Sequence, residues 1–215
     1  MKDLNQLLQI NLCETPESWE RIGFNVDFDS SGASISVGNT KLWFAHNSQT
    51  SGINSVCVNG ISGNLDSLKF EPAEKTGPKP PCPPHPNHVE RIDHLVVTSP
   101  DCDRTTVILE EAGLNLEGVR KFGNTPNRMR QSFFWLGDVI LELVGPDNPT
   151  PEGRPSFWGL ALVSSDIDET VRKMGTLCSP VKDAVQPGRK ITTVKTRQLH
   201  IGTSIAIMSP HVRKK

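Results

Sequence analysis

Residues 92–99 read Ile-Asp-His-Leu-Val-Val-Thr-Ser, and residues 157–165 read Phe-Trp-Gly-Leu-Ala-Leu-Val-Ser-Ser. Each stretch is followed by an aspartate, Asp101 or Asp166, and then by a run with helical spacing. Further on, Asp138-Val-Ile-Leu-Glu-Leu-Val-Gly-Pro146 aligns with Gly202-Thr-Ser-Ile-Ala-Ile-Met-Ser-Pro210. The offset is 65 residues at the first pair of stretches and 64 at the second. A period of that size is a whole supersecondary unit used twice. It sets His94 against Gly159 and Glu142 against Ala206.

Local patterns fill in the unit. Arg91–Thr98 is apolar and β-branched and predicts a strand. Asp103–Ala112 carries Val107, Ile108, Leu109 and Ala112 at helical spacing, with Ser99 or Asp101 to cap it and Gly113 to end it. Leu116–Lys121, Gln131–Leu136 and Val139–Val144 read as strands, the last two joined by a hairpin turn at Gly137-Asp138. The second copy predicts strands at Leu160–Val163, Lys190–Thr196 and Ser204–Met208, a weak strand in Lys182–Val185, and a helix over Ile167–Met174. The fold class expected is α+β, with repeated β-α-β-β-β units forming curved mixed sheets around a cavity.

The N-terminal residues read as a worn further copy. Strands are expected at Leu7–Leu12, Asn25–Phe28, Ala33–Val37, Lys41–Phe44 and Ile53–Val58, with a short helix over Pro16–Ile22. Val37-Gly38-Asn39 mirrors Leu136-Gly137-Asp138, which puts Trp43 opposite Glu142. Repeated proline from Lys75 to Pro86 forbids helix and predicts an extended connector. The expected organisation is therefore a degenerate unit over 1–74, a Pro-rich linker over 75–89 and a two-unit domain over 90–212.

Bulk properties narrow the function classes. The chain has 215 residues and a formal net charge of −1, so no basic field is available for nucleic acid. The one basic cluster is the tail Arg213-Lys214-Lys215, read as a solvated terminus. No apolar run approaches the ~20 residues of a membrane span, and no secretory signal pattern opens the chain. The five cysteines are scattered without a C-x-x-C, which suits reduced thiols and a cytoplasmic protein. Cys102 is read as an inert buried or surface cysteine rather than a reactive thiol. His85 and His88 match a metal motif by spacing only, and their proline setting favours capping roles in the linker.

A repeated unit that opens on Ile-Asp-His-Leu-Val-Val and closes on Ile-Leu-Glu-Leu-Val resembles the vicinal oxygen chelate superfamily. That group holds glyoxalase I, extradiol dioxygenases, methylmalonyl-CoA epimerase and bleomycin-resistance proteins. The resemblance covers Arg91–Pro210, looks closest to the glyoxalase-like members, and extends to residues 1–70 by analogy. It implies paired units around a cup that holds a small-molecule ligand, and it leaves room for a homodimer. It also implies a divalent metal (Fe, Mn, Ni or Zn) held by side chains of the first and last strands, here His94 and Glu142.

Residue chemistry leaves two readings of that pair. A carboxylate in an apolar strand is costly without a partner. His94 and Glu142 are therefore either hydrogen-bonded to each other or to water, or they are ligands or an acid/base pair facing a cavity. Gly159 and Ala206 carry no donor, so the metal site is incomplete unless Gln131, Gln186, His200 or the N-terminal unit completes it. The aromatic residues around the hairpin and the second copy, with Trp158 among them, divide between core and a substrate wall. Gln131, Gln186 and Arg189 are substrate-binding candidates, the last as a bidentate donor to a carboxylate or phosphate. A solvated turn is the other reading of Arg189. The function expected is a lyase, isomerase or oxygenase acting on a small oxygen-rich metabolite. The alternative is a non-catalytic binding protein that sequesters a small ligand in the same cup.

Overall fold

The computed structural model describes residues 5–45, 51–73, 83–150 and 152–211. Most of the proline connector, Cys82 and the basic tail lie outside the described residues. The N-terminal half contains β1 (Leu7–Cys13), α1 (Pro16–Glu20), β2 (Asp27–Asp29), β3 (Gly32–Val37), β4 (Thr40–Phe44), β5 (Gly52–Val58), β6 (Gly63–Leu65) and β7 (Leu68–Glu71). These strands form an open seven-stranded mixed sheet in the order β2-β3-β4-β1-β5-β7-β6. The C-terminal half contains β8 (Val89–Thr98), α2 (Cys102–Glu111), β9 (Leu116–Phe122), β10 (Met129–Leu136) and β11 (Val139–Pro146). It continues with β12 (Ser156–Ser164), α3 (Ile167–Met174), β13 (Lys182–Asp183), β14 (Lys190–Thr193) and β15 (Ser204–Met208). Its eight strands run in the order β13-β14-β15-β12-β8-β11-β10-β9. The fold is α+β, built on two curved mixed sheets.

The register of the larger sheet is what positions the site. β8 pairs parallel with β11, His94 facing Ile140, and β12 pairs parallel with β15, Gly159 facing Ser204. The two first strands meet antiparallel at the centre, His94 facing Ala161 and Val96 facing Gly159. Both hairpins close on a two-residue loop with a glycine at positive φ, Gly38 at 57° and Gly137 at 73°. That places Trp43 and Glu142 alike, each the third residue beyond its closing pair.

Strand alternation divides the faces. Leu95, Val97, Phe134, Leu136, Leu141 and Leu143 are buried on one face, and α2 contributes Cys102, Thr105 and Leu109 to the core. The other face carries Gln131, Phe133, Glu142, Val96 and His94. The helices begin with matching local chemistry. Asp101 accepts from the Arg104 N–H and Asp166 from the Glu169 N–H, both at 3.0 Å. Behind them, Ser99 bonds Thr105 at 2.8 Å and Ser164 bonds Thr170 at 2.7 Å. Gly113 and Gly175, both at positive φ, follow the helices.

The N-terminal half diverges most in its second part. Among the described residues no helix follows β5 before β8, and two short strands, β6 and β7, complete the sheet. The end of the connector is clamped to this half. His85 is buried, its Nδ1 accepting from the Asn25 N–H at 3.2 Å and its Nε2 donating to the Ser36 carbonyl at 2.9 Å. Burial lowers its pKa, against the Ser36 bond. Among the described residues no helix is long and apolar enough to cross a membrane.

Candidate functional site

A polar chain with a buried centre at Asp93, Arg189 and Glu142 crosses the face of the eight-stranded sheet. His94 Nε2 lies 3.2 Å from Glu142 Oε2. The two residues are diagonal neighbours, because His94 pairs with Ile140 and Glu142 with Val96. Gln131 donates from Nε2 to Glu142 Oε1. On the other side of the ring, His94 Nδ1 lies 3.0 Å from Asp93 Oδ2. Asp93 accepts from Arg189, NH2 to Oδ1 at 3.0 Å and NH1 to Oδ2 at 3.3 Å. Arg189 also donates to Gln186 Oε1 at 2.5 Å and to the Ser209 carbonyl at 2.8 Å, and its NH1 lies 3.2 Å from His211 Nε2.

Neighbours on a regular strand point to opposite faces, so the Asp93–His94 contact needs a local cause. Ala161 faces His94 and Leu162 faces Ile92, which leaves Asp93 unpaired in a β-bulge. The bulge turns Asp93 to the side of His94 while Ile92, Leu95 and Val97 stay in the core. A matching bulge at Trp158 lies between the pairs Phe157–Val97 and Gly159–Val96. Asp93 is 5% exposed and Arg189 1%. Burial alone would raise the pKa of Asp93. The hydrogen bonds from His94 and Arg189, with the charge of Arg189, outweigh it and hold the carboxyl well below the usual range.

The chain joins His94, Glu142, Gln131, Gln186 and Arg189 through Asp93, which sequence reasoning passed over. The signal was present. Strict alternation in Ile92-Asp93-His94-Leu95 would bury one polar residue among apolar ones, so a bulge or a buried cation is demanded. Trp158 stands 53% exposed on its bulge. His200 is an exposed residue at φ 55°, ending a short 3-10 turn. Cys102 is 1% exposed, and burial pushes its thiol pKa up against the pull of Arg130.

A resident divalent metal does not fit this donor set. A catalytic site of that kind has three or more protein ligands, and here His94 and Glu142 supply two. A Cβ built at Gly159 would stand 2.8 Å from the Ser204 Cβ, so the strand crossing there is closed to a side chain. Among the described residues no group of three His, Cys, Asp or Glu side chains converges as ligands. Two clefts open on the N-terminal sheet. One of about 760 Å³ is lined in part by Asn54, Asn64, Lys69 and Glu71, the other of about 400 Å³ by Glu14, Phe28 and Asp29. Neither borders the His94 chain.

No family model matches the sequence, and no curated protein does. Solved structures do match it. A mutant of 4-hydroxymandelate synthase from Streptomyces coelicolor is similar over 99% of this chain and 94% of its own, with 13% identity and a TM-score of 0.65. A xylose isomerase-like TIM barrel/4-hydroxyphenylpyruvate dioxygenase fusion protein is similar over 99% of this chain and 50% of its own, with 9% identity and a TM-score of 0.63. Both likenesses cover nearly the whole chain and therefore both of its sheets. The chain has the vicinal oxygen chelate fold.

Proposed function

We propose that the chain is an enzyme of the lyase or isomerase type that moves a proton on a small oxygen-bearing substrate. The observation that carries this reading is the approach of His94 Nε2 to Glu142 Oε2 at 3.2 Å. A carboxylate only accepts, so the ring nitrogen facing Asp93 carries a hydrogen. Nε2 then faces a second carboxyl at ion-pair distance. We read the two side chains as an acid/base pair. Glu142 can take a C–H proton beside a carbonyl while His94 Nε2–H gives its proton to the carbonyl oxygen. The C–H electrons form the enol double bond, and the reverse steps return an isomer. Oxygenase chemistry ranks below this, because it needs a metal that the donor set does not fit.

The two units of the larger sheet are best read as copies of one unit, since their ladders share a register and their helices share a cap. Phe133 faces Glu142 across the strands, and Trp135 faces Ile140, which itself faces His94. They give the face an aromatic wall, and exposed Trp158 is the substrate contact proposed from the second copy. One neighbour is named as a synthase of 4-hydroxymandelate, so hydroxyphenyl 2-hydroxy and 2-oxo acids head the compounds to try.

The test is proton NMR in D2O with a panel of 2-oxo and 2-hydroxy acids. We expect exchange of a carbon-bound proton, slowed about 10²–10⁴-fold in Glu142→Gln and His94→Ala. Gly159 and Ala206, which bring no donor, favour a second reading: a protein that binds a small molecule without turning it over. Saturable binding with no exchange in any compound would replace the first reading with the second.

A further inference from the structure

We infer that Asp93 and Arg189 are positioning residues that hold a hydrogen on Nδ1 of His94, so that Nε2 is the nitrogen turned to Glu142. This rests on the acid/base reading and states what the second unit adds to it. That unit has Gly159 and Ala206 where the first has His94 and Glu142. What it sends across the sheet instead is Arg189, from the loop before β14.

Three observations point the same way. The bulge gives up a ladder position on a central strand to turn Asp93 toward the ring. The aspartate is then buried with an arginine that is 1% exposed, an arrangement costly to desolvate and retained only with close partners. Each Arg189 contact holds the fork in one orientation: Asp93 at 3.0 and 3.3 Å, the Ser209 carbonyl at 2.8 Å, and Gln186 at 2.5 Å. A planar guanidinium keeps both carboxylate oxygens in register, which a lysine cannot do. Two further groups approach Asp93 more loosely, the Arg91 guanidinium at 3.6 Å and the His211 ring at 3.9 Å. Asp93 is thus fixed as an acceptor, and the ring atom before it must donate. With Arg189 so committed, its role is to orient the catalytic imidazole through Asp93.

The experiment needs no substrate. Histidine ring nitrogens in the 15N-labelled full chain are assigned by long-range proton–nitrogen correlation. In the native chain we expect Nδ1 of His94 to be protonated. In the double variant Asp93→Leu/Arg189→Met, which removes both buried charges together, we expect that signature to be lost while His85 and His200 keep theirs. Arg189→Lys, which keeps the charge without the fork, should weaken the Nδ1–H signal. An unprotonated Nδ1 in the native chain overturns the inference even if the double variant does not fold. So does a folded double variant whose His94 still carries the Nδ1 hydrogen. A protonated Nδ1 in a chain that exchanges no substrate proton supports the clamp and sinks the enzyme reading, so the two fail separately.

Discussion

Asp93 and Arg189 dominate the energetics of the site. Each is almost fully buried, so removing Arg189 leaves the Asp93 carboxylate inside with His94 and the looser Arg91 contact. Arg189→Met is expected to destabilise the chain by about 3–5 kcal/mol, read from urea unfolding, because the carboxylate stays inside without its paired guanidinium. The pH dependence follows from the depressed pKa of Asp93. A group held below its unfolded value stabilises the fold above that value, near 3.9 for an aspartate. The contribution is lost as pH falls from about 5 toward the folded pKa. Asp93→Asn should therefore be less stable at neutral pH and lose less on acidification than the native chain. Equal acid slopes would remove Asp93 from the account. Metal content belongs to the same scale. With two donors at His94 and Glu142 and none at Gly159 and Ala206, the dialysed protein should hold well under one Fe, Mn, Ni or Zn per chain by elemental analysis. About one per chain, lost in His94→Ala, would restore the metal reading.

At the level of elements, what the sequence announced depended on whether the cause was local. Helix α3 was legible to the residue, Ile167–Met174, because Asp166 caps it and Gly175 ends it. Strand β15 was legible as Ser204–Met208 from its apolar β-branched run. Strands β6 and β7 were not foreseen: each has three or four residues, and β6 reads Gly-Asn-Leu, with no pattern of its own. They exist because β5 offers an edge to pair with, and the pairing partner is a tertiary fact. The bulge at Asp93 was legible in part: the alternation of Ile92-Asp93-His94-Leu95 calls for a bulge or a buried cation, but the choice between them rests on a register that belongs to two strands. The shared cap supports a prediction. Asp101→Ala and Asp166→Ala each remove one side-chain acceptor at 3.0 Å from an N3 N–H. Each should cost about 1 kcal/mol in denaturant unfolding. A cost near zero at one of them would mean that the two helix starts are not energetically alike.

Over the whole molecule, the proline connector suggests two bodies, but the core does not divide there. One continuous apolar cluster runs from Leu7 and Trp19 through Leu95 and Phe134 to Ile207. Polar contacts tie the halves across it. Ser18 donates to the Leu199 carbonyl at 2.8 Å, Glu14 accepts from the Thr203 N–H at 2.6 Å, and Asp66 accepts from Arg104 Nε at 3.1 Å. Gly52 and Gly202 meet so closely that a Cβ on Gly202 would stand 2.7 Å from the Gly52 nitrogen. Neither half can expose its side of this interface cheaply, since apolar surface costs roughly 25 cal/mol per Å² to return to water. The expectation is one cooperative transition. In urea, amide NMR signals from both halves should fade at a common midpoint, and calorimetry should give a single endotherm. Gly202→Val forces the interface apart at one point. It should lower that midpoint for the signals of both sheets together, because the strain is shared through one core. Two midpoints in the native chain, or a Gly202→Val variant that shifts the C-terminal signals alone, would show that the halves are separate folding units and that the site depends on its own sheet only.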